Sequence, residues 1–97
     1  MPVLRIEHPI TDFDTWKSAF DRFASARASA NVRGHRIHRP LDDSTYVMID
    51  LDFDEVEEAE RFLGFLQAQV WSSPEASPGL GGAPSTRIIA LEEAWAG

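Results

Sequence analysis

The chain has 97 residues, a formal net charge of −7, 43% hydrophobic and 26% charged side chains, and no cysteine. A chain of this length holds one domain around one core, and its apolar content argues against wholesale disorder. Without cysteine there is no disulfide framework and no thiolate metal cluster, as expected of a cytoplasmic protein held by packing alone. The negative charge repels a phosphate backbone over a Debye length of about 8 Å, so nucleic acid is not an expected partner, and no segment reads as a membrane span.

Val3 to His8 is β-prone and alternates, with Leu4, Ile6 and His8 on one face and Val3, Arg5 and Glu7 on the other, until Pro9 stops it. Thr11-Asp12-Phe13-Asp14 reads as a helix start with Thr11 as the cap, and Phe13, Trp16, Phe20, Phe23 and Ala24 follow at helical spacing. This first helix is predicted to run to about Ala30, with Asn31 as its stop. Val32 to Arg39 is a second strand, rich in Arg and His, placed at a sheet edge. Its alternation sends Gly34, Arg36 and His38 to one face and Arg33, His35, Ile37 and Arg39 to the other.

Thr45 to Leu51 is the strongest strand signal and forms a hairpin with the second strand through Leu41-Asp42-Asp43-Ser44. Val47, Ile49 and Leu51 share one face, and Tyr46 and Met48 the other. A second helix is predicted from Asp54, with Glu57 as capping partner and a stripe of Val56, Ala59, Phe62, Leu63, Leu66 and Val70, ending near Trp71. Residues 72–85 are dense in Ser, Pro and Gly and read as a flexible loop. Thr86 to Trp95 returns to strand composition, separating Ile89 and Leu91 from Ile88 and Ala90.

The order strand-helix-strand-strand-helix-strand gives an α+β, ferredoxin-like βαββαβ domain over residues 1–97. Right-handed crossovers put both helices on one face of a four-stranded antiparallel sheet. Apolar residues on both faces of the third and fourth strands predict a second, contiguous apolar surface that the helices leave bare. A homodimer partner is its expected cover, and Trp95 is expected to reach toward that partner.

This arrangement, the Asp12-Phe13-Asp14-Thr15-Trp16 opening of the first helix, the Asp52-Phe53-Asp54 lead into the second and the terminal apolar strand resemble the dimeric α/β barrel superfamily, particularly small antibiotic biosynthesis monooxygenase-like proteins. The resemblance implies a homodimer, and an activity drawn from cofactor-free monooxygenases, cyclases, haem-degrading enzymes or members without catalysis. Haem-degrading relatives pair an Asn near the first strand with a Trp and a His on the second helix. The only Asn here is Asn31 and the second helix has no His, so a haem role is disfavoured and no cofactor is expected. Quinone-forming relatives place Asn, Trp, Tyr and Arg around a phenol; Trp71, Tyr46 and Arg36 are residues of those types, without a position-by-position match.

Candidate catalytic residues are His8, His38 and Asp50, and candidate substrate-binding residues are Tyr46, Arg36 and Trp71. His8 lies on the face expected to meet the helices, where an imidazole can take a proton from an activated carbon or phenol. Arg36 and His38 suit anion recognition with proton transfer, or else form a solvated, positively charged edge. Asp50 interrupts an apolar run and needs a partner, with Arg5 the natural candidate if strands one and three are neighbours; its functional alternative is a base with a raised pKa.

Trp71 stands where the second helix meets the Gly/Pro loop, and can wall a pocket that the loop closes over. Gly79-Leu80-Gly81-Gly82 lacks the Lys and helix start of a phosphate loop. There is also no metal-ligand spacing, nucleophile elbow or dinucleotide fingerprint. Two functions follow as expectations: a cofactor-independent monooxygenase or cyclase acting on a small aromatic or polyketide-like molecule, or a non-catalytic dimeric module for a small ligand or an assembly.

Overall fold

The computed structural model describes residues 1–97. β1 (Pro2–Pro9), β2 (Gly34–His38), β3 (Tyr46–Asp52) and β4 (Ser85–Ala90) form one sheet in the order β2-β3-β1-β4, with every neighbour antiparallel. The two strands with the strongest alternation, β1 and β3, are central, and the Arg- and His-rich β2 is an edge as expected. Leu4, Ile6, Val47, Ile49 and Leu51 point to one face and are almost wholly buried with Phe53 and Phe62. Burying one such side chain contributes about 1.5–3 kcal/mol, so this layer is the main source of stability.

Helices cover that face, with corrections to the expected boundaries. The first is broken at Phe23 into α1 (Phe13–Arg22) and α2 (Ala24–Ser29). Asp12, rather than Thr11, caps α1 by accepting from Thr15 N–H at 2.9 Å. Asn31 ends α2 in the left-handed conformation, φ 66°, and Ala24, expected in the core stripe, is exposed.

The next helix, α3 (Val56–Phe65), starts one residue later than expected: Glu58 accepts from the Glu55 N–H, while Asp54 is drawn off to Arg33 at 2.7 Å. Its Val56 is half-exposed, whereas Ala59 and Phe62 are buried. A π-helical turn, Leu66–Val70, follows, closed by Trp71 N–H donating to Leu66 O at 2.7 Å. No helix is long and apolar enough to cross a membrane.

β4 stops at Ala90 instead of reaching Trp95. Ala90 pairs with Pro2, where β1 begins, so residues past Ala90 find no backbone partner, and Leu91 and Trp95 are exposed. The loop before β4 is tied to the end of β1: Thr11 N–H donates to Gly79 O, Gly81 N–H to Pro9 O, and Leu80 bridges Ile10. Gly79 has φ 85°, and a Cβ there would lie 2.9 Å from the Trp16 nitrogen, so only glycine fits this approach.

The sheet face away from the helices is not the contiguous apolar surface expected. Pairing aligns Arg36, Asp50, Arg5 and Arg87 in one row, Gly34, Asp52, Val3 and Ile89 in the next, and His38, Met48, Glu7 and Ser85 in a third. Charged groups alternate with isolated apolar ones. The sequence pattern misled because Val47, Ile49, Leu51 and Ile88 all turn to the helix side, leaving Val3, Met48 and Ile89 as separate islands among ion pairs.

Candidate functional site

Strand alternation divides the six candidate residues between the two faces of the sheet. His38, Asp50, Tyr46 and Arg36 lie on the face away from the helices. The Asp50 carboxylate receives Arg5 Nε at 2.8 Å and Arg5 Nη2 at 2.9 Å, the anticipated ion pair, with Arg36 at 3.8 Å. These Arg5 hydrogen bonds hold Asp50 below the usual carboxylate range, outweighing its burial. Its pKa is therefore lowered, not raised, which leaves it a weak base. Arg36 is itself paired to Asp52 at 2.9 and 3.0 Å, and Tyr46 Oη donates to Glu7 at 3.1 Å. His38 is exposed at the sheet edge.

His8 and Trp71 meet on the other face, where a half-open cavity of about 70 Å³ lies between helices and sheet. That volume is several times the roughly 10–15 Å³ one water needs. The wall is mostly apolar and aromatic: Trp16 and Phe20 from α1, Ile49 from β3, Phe62 from α3, and Trp71. Ala76, Ser77, Pro78 and Leu80 form its rim, so the Pro/Gly segment borders this opening.

His8 is 2% exposed. Its Nδ1 lies 2.8 Å from Pro9 O, and because a carbonyl only accepts, Nδ1 carries the proton and Nε2 the lone pair. Nε2 has no partner in the chain, yet no side-chain nitrogen or oxygen is wholly occluded without one, so Nε2 opens onto cavity space. Burial pushes the His8 pKa down, with the Pro9 hydrogen bond opposing. The ring is therefore neutral at pH 7, an available base. The Trp16 ring lies 6.1 Å away centre to centre in an edge-to-face arrangement.

Arg27 on α2 was not among the candidates, although it is 8% exposed and lines the same cavity. Its Nη1 donates to Phe20 O at 2.6 Å, and its guanidinium lies 3.7 Å over the Phe20 ring. A sequence signal was present: Trp16, Phe20, Phe23 and Arg27 are spaced four, three and four apart, so a cation continues the apolar stripe. No three His, Asp or Glu side chains converge in a way that could hold a metal ion.

The site has the make-up of a small-molecule pocket, with a flat apolar interior and two polar groups, one a base and one a cation. A solved structure described as a dimeric ferredoxin-like protein from an uncultured marine organism superposes with a TM-score of 0.62 over 99% of both chains, at 8% identity. The fold is ferredoxin-like. At that identity the likeness extends to the fold alone. No protein-family model matches the chain, and no curated protein does.

Proposed function

We propose that this chain is a single-domain, cytoplasmic, homodimeric enzyme that removes a proton from a small aromatic or polyketide-like molecule bound between helices and sheet. The activity would be a cofactor-independent monooxygenation or a cyclisation, both of which begin with that proton transfer. The observation that carries the reading is His8: buried, neutral, held by Pro9 O through Nδ1, and presenting Nε2 to an aromatic-walled cavity. A positioned base contributes about 10²–10⁴-fold to such a step. Trp71 supplies a flat wall for a conjugated ring.

Dimerisation through the face away from the helices is supported by the half-buried Val3, Met48 and Ile89 there, and by the neighbour described as dimeric. His38, Asp50, Tyr46 and Arg36 then belong to the dimer face rather than the cavity. The second reading, a non-catalytic ligand-binding module, is favoured by the cavity holding only His8 of the three catalytic candidates.

The deciding experiment follows proton exchange into D2O from the acidic carbon of 1,3-diketones, and conversion of hydroxynaphthols in air, by wild type and His8→Gln. A loss of about 10²-fold or more in the variant supports the enzyme. Equal rates in a folded variant refute His8 as the base, and binding without turnover by wild type selects the binding module.

A further inference from the structure

Only three polar side chains are buried in this fold: His8, Arg27 and Asp50. Asp50 has its guanidinium, and His8 has Pro9 O. Arg27 differs from both, because no carboxylate lies within ion-pair distance of it. Asp21, whose charge acts on Arg27 from beyond ion-pair distance, is itself bonded to Lys17 at 2.7 Å.

Burying a cation without a counter-ion is costly. The contacts Arg27 does make offset part of that cost. One N–H donates to the Phe20 carbonyl near the C-terminal end of α1, where the helix dipole favours positive charge, and the guanidinium plane lies over the Phe20 ring. The remaining donors have no partner in the chain, none of these nitrogens is wholly occluded, and the side chain is one of those that line the cavity. A guanidinium with free donors at the wall of an otherwise apolar cavity matches a carboxylate in both charge and geometry.

We propose that the cavity takes ligands that carry a carboxylate on a flat apolar body, and that Arg27 is the residue that selects the carboxylate. The inference rests on the reading of this cavity as a ligand site, and narrows the substrate to aromatic or conjugated acids. The ring lies among Trp16, Phe62 and Trp71, the acid meets Arg27, and the proton to be removed faces His8 Nε2. Arg27 acts on binding, so it is a specificity residue rather than the base.

The test uses benzoate against benzamide and 2-naphthoate against 2-naphthamide, each pair differing by charge at nearly constant shape. Binding to the wild-type protein, Arg27→Lys and Arg27→Met is measured by calorimetry, and the His8 imidazole nitrogen resonances report whether the cavity is occupied. Charge-assisted hydrogen bonds predict that wild type binds the acid at least about tenfold more tightly than the amide. Arg27→Lys should keep part of that preference, and Arg27→Met should bring the ratio near one while leaving amide binding within about threefold.

Measurable binding with no acid preference in wild type overturns the proposal and leaves the pocket reading standing. A preference that survives in Arg27→Met overturns it too. If neither member of either pair binds at millimolar concentration, both readings fall. Should Arg27→Met fail to fold, the wild-type ratio and Arg27→Lys decide. His8→Gln is expected to lose proton exchange and keep the acid preference, which separates failure of the base from failure of the selector.

Discussion

Asp50→Asn keeps the shape of the side chain in the Arg36-Asp50-Arg5-Arg87 row and removes its charge. It converts two hydrogen bonds between opposite charges, at 2.8 and 2.9 Å, into at best one from the Arg5 cation to a neutral amide oxygen, and loses the longer attraction to Arg36. Hydrogen bonds to charged groups contribute roughly 1.5–3 kcal/mol, whereas solvent-exposed pairs contribute about 0–1. This pair lies between, since the Asp50 side chain is 12% exposed and that of Arg5 44%.

The expected loss at pH 7 is therefore about 1–2 kcal/mol, equivalent to roughly 5–15 °C in Tm for a domain of this size. The pH dependence has a definite sign. Arg5 lowers the native pKa of Asp50 below the unfolded value near 3.9, so the contribution is complete well above 3.9 and fades as pH falls toward the native pKa. Asparagine does not titrate. Urea unfolding of both proteins at pH 7 and pH 3, at one fixed protein concentration, should show the gap narrowing in acid. A gap of the same size at both pH values, or under about 0.3 kcal/mol at pH 7, refutes the ion-pair account.

Three further outcomes are expected. Burial lowers the His8 pKa, so the unfolded ring, near 6.5, binds a proton that the native ring refuses. Stability should then fall as pH drops from 7 toward 5 by at most about 1.4 kcal/mol per unit for this group, and His8→Gln should flatten the urea-measured slope, apart from a residue due to exposed His35, which is shifted the same way. Gly79→Ala, forced to hold φ 85° against the Trp16 backbone, should cost about 1–3 kcal/mol by calorimetry, and an unchanged Tm contradicts the tight approach. Sedimentation at micromolar concentration should return twice the 10.8 kDa chain mass; a stable folded monomer there sinks the dimer proposal.

Several features were legible from alternation alone, because a strand's side-chain period is fixed. Leu4, Ile6 and His8 share the helix face, and Arg5 answers Asp50 on the other once β1 and β3 are neighbours, the condition on which that pair is expected. What failed depends on partners that a local pattern does not contain. Nothing in Arg22-Phe23-Ala24 announces a break, which coincides with Arg27 reaching back to Phe20 O. β4 ends for want of a neighbour opposite Leu91, not for want of β-prone residues.

The polar character of the open sheet face was missed by counting apolar residues without fixing which strand rows they join. Arg27 is not legible from apolar spacing, which counts only the hydrophobic members of the stripe it continues.

The π-helical turn at Leu66–Val70 has one more consequence. Bonding residues five apart instead of four, it adds a residue to the turn, and each residue advances an α-helix by about 100°. Trp71 therefore owes its compass bearing to a surplus of one. Were the same sequence to run on as a regular α-helix, the indole would swing about 100° further around the barrel, whereas a deletion of Gln67 would let an α-turn close on the same Leu66 carbonyl and leave it in place, so the winding of this turn, more than the identity of any residue in it, sets the shape a guest must match.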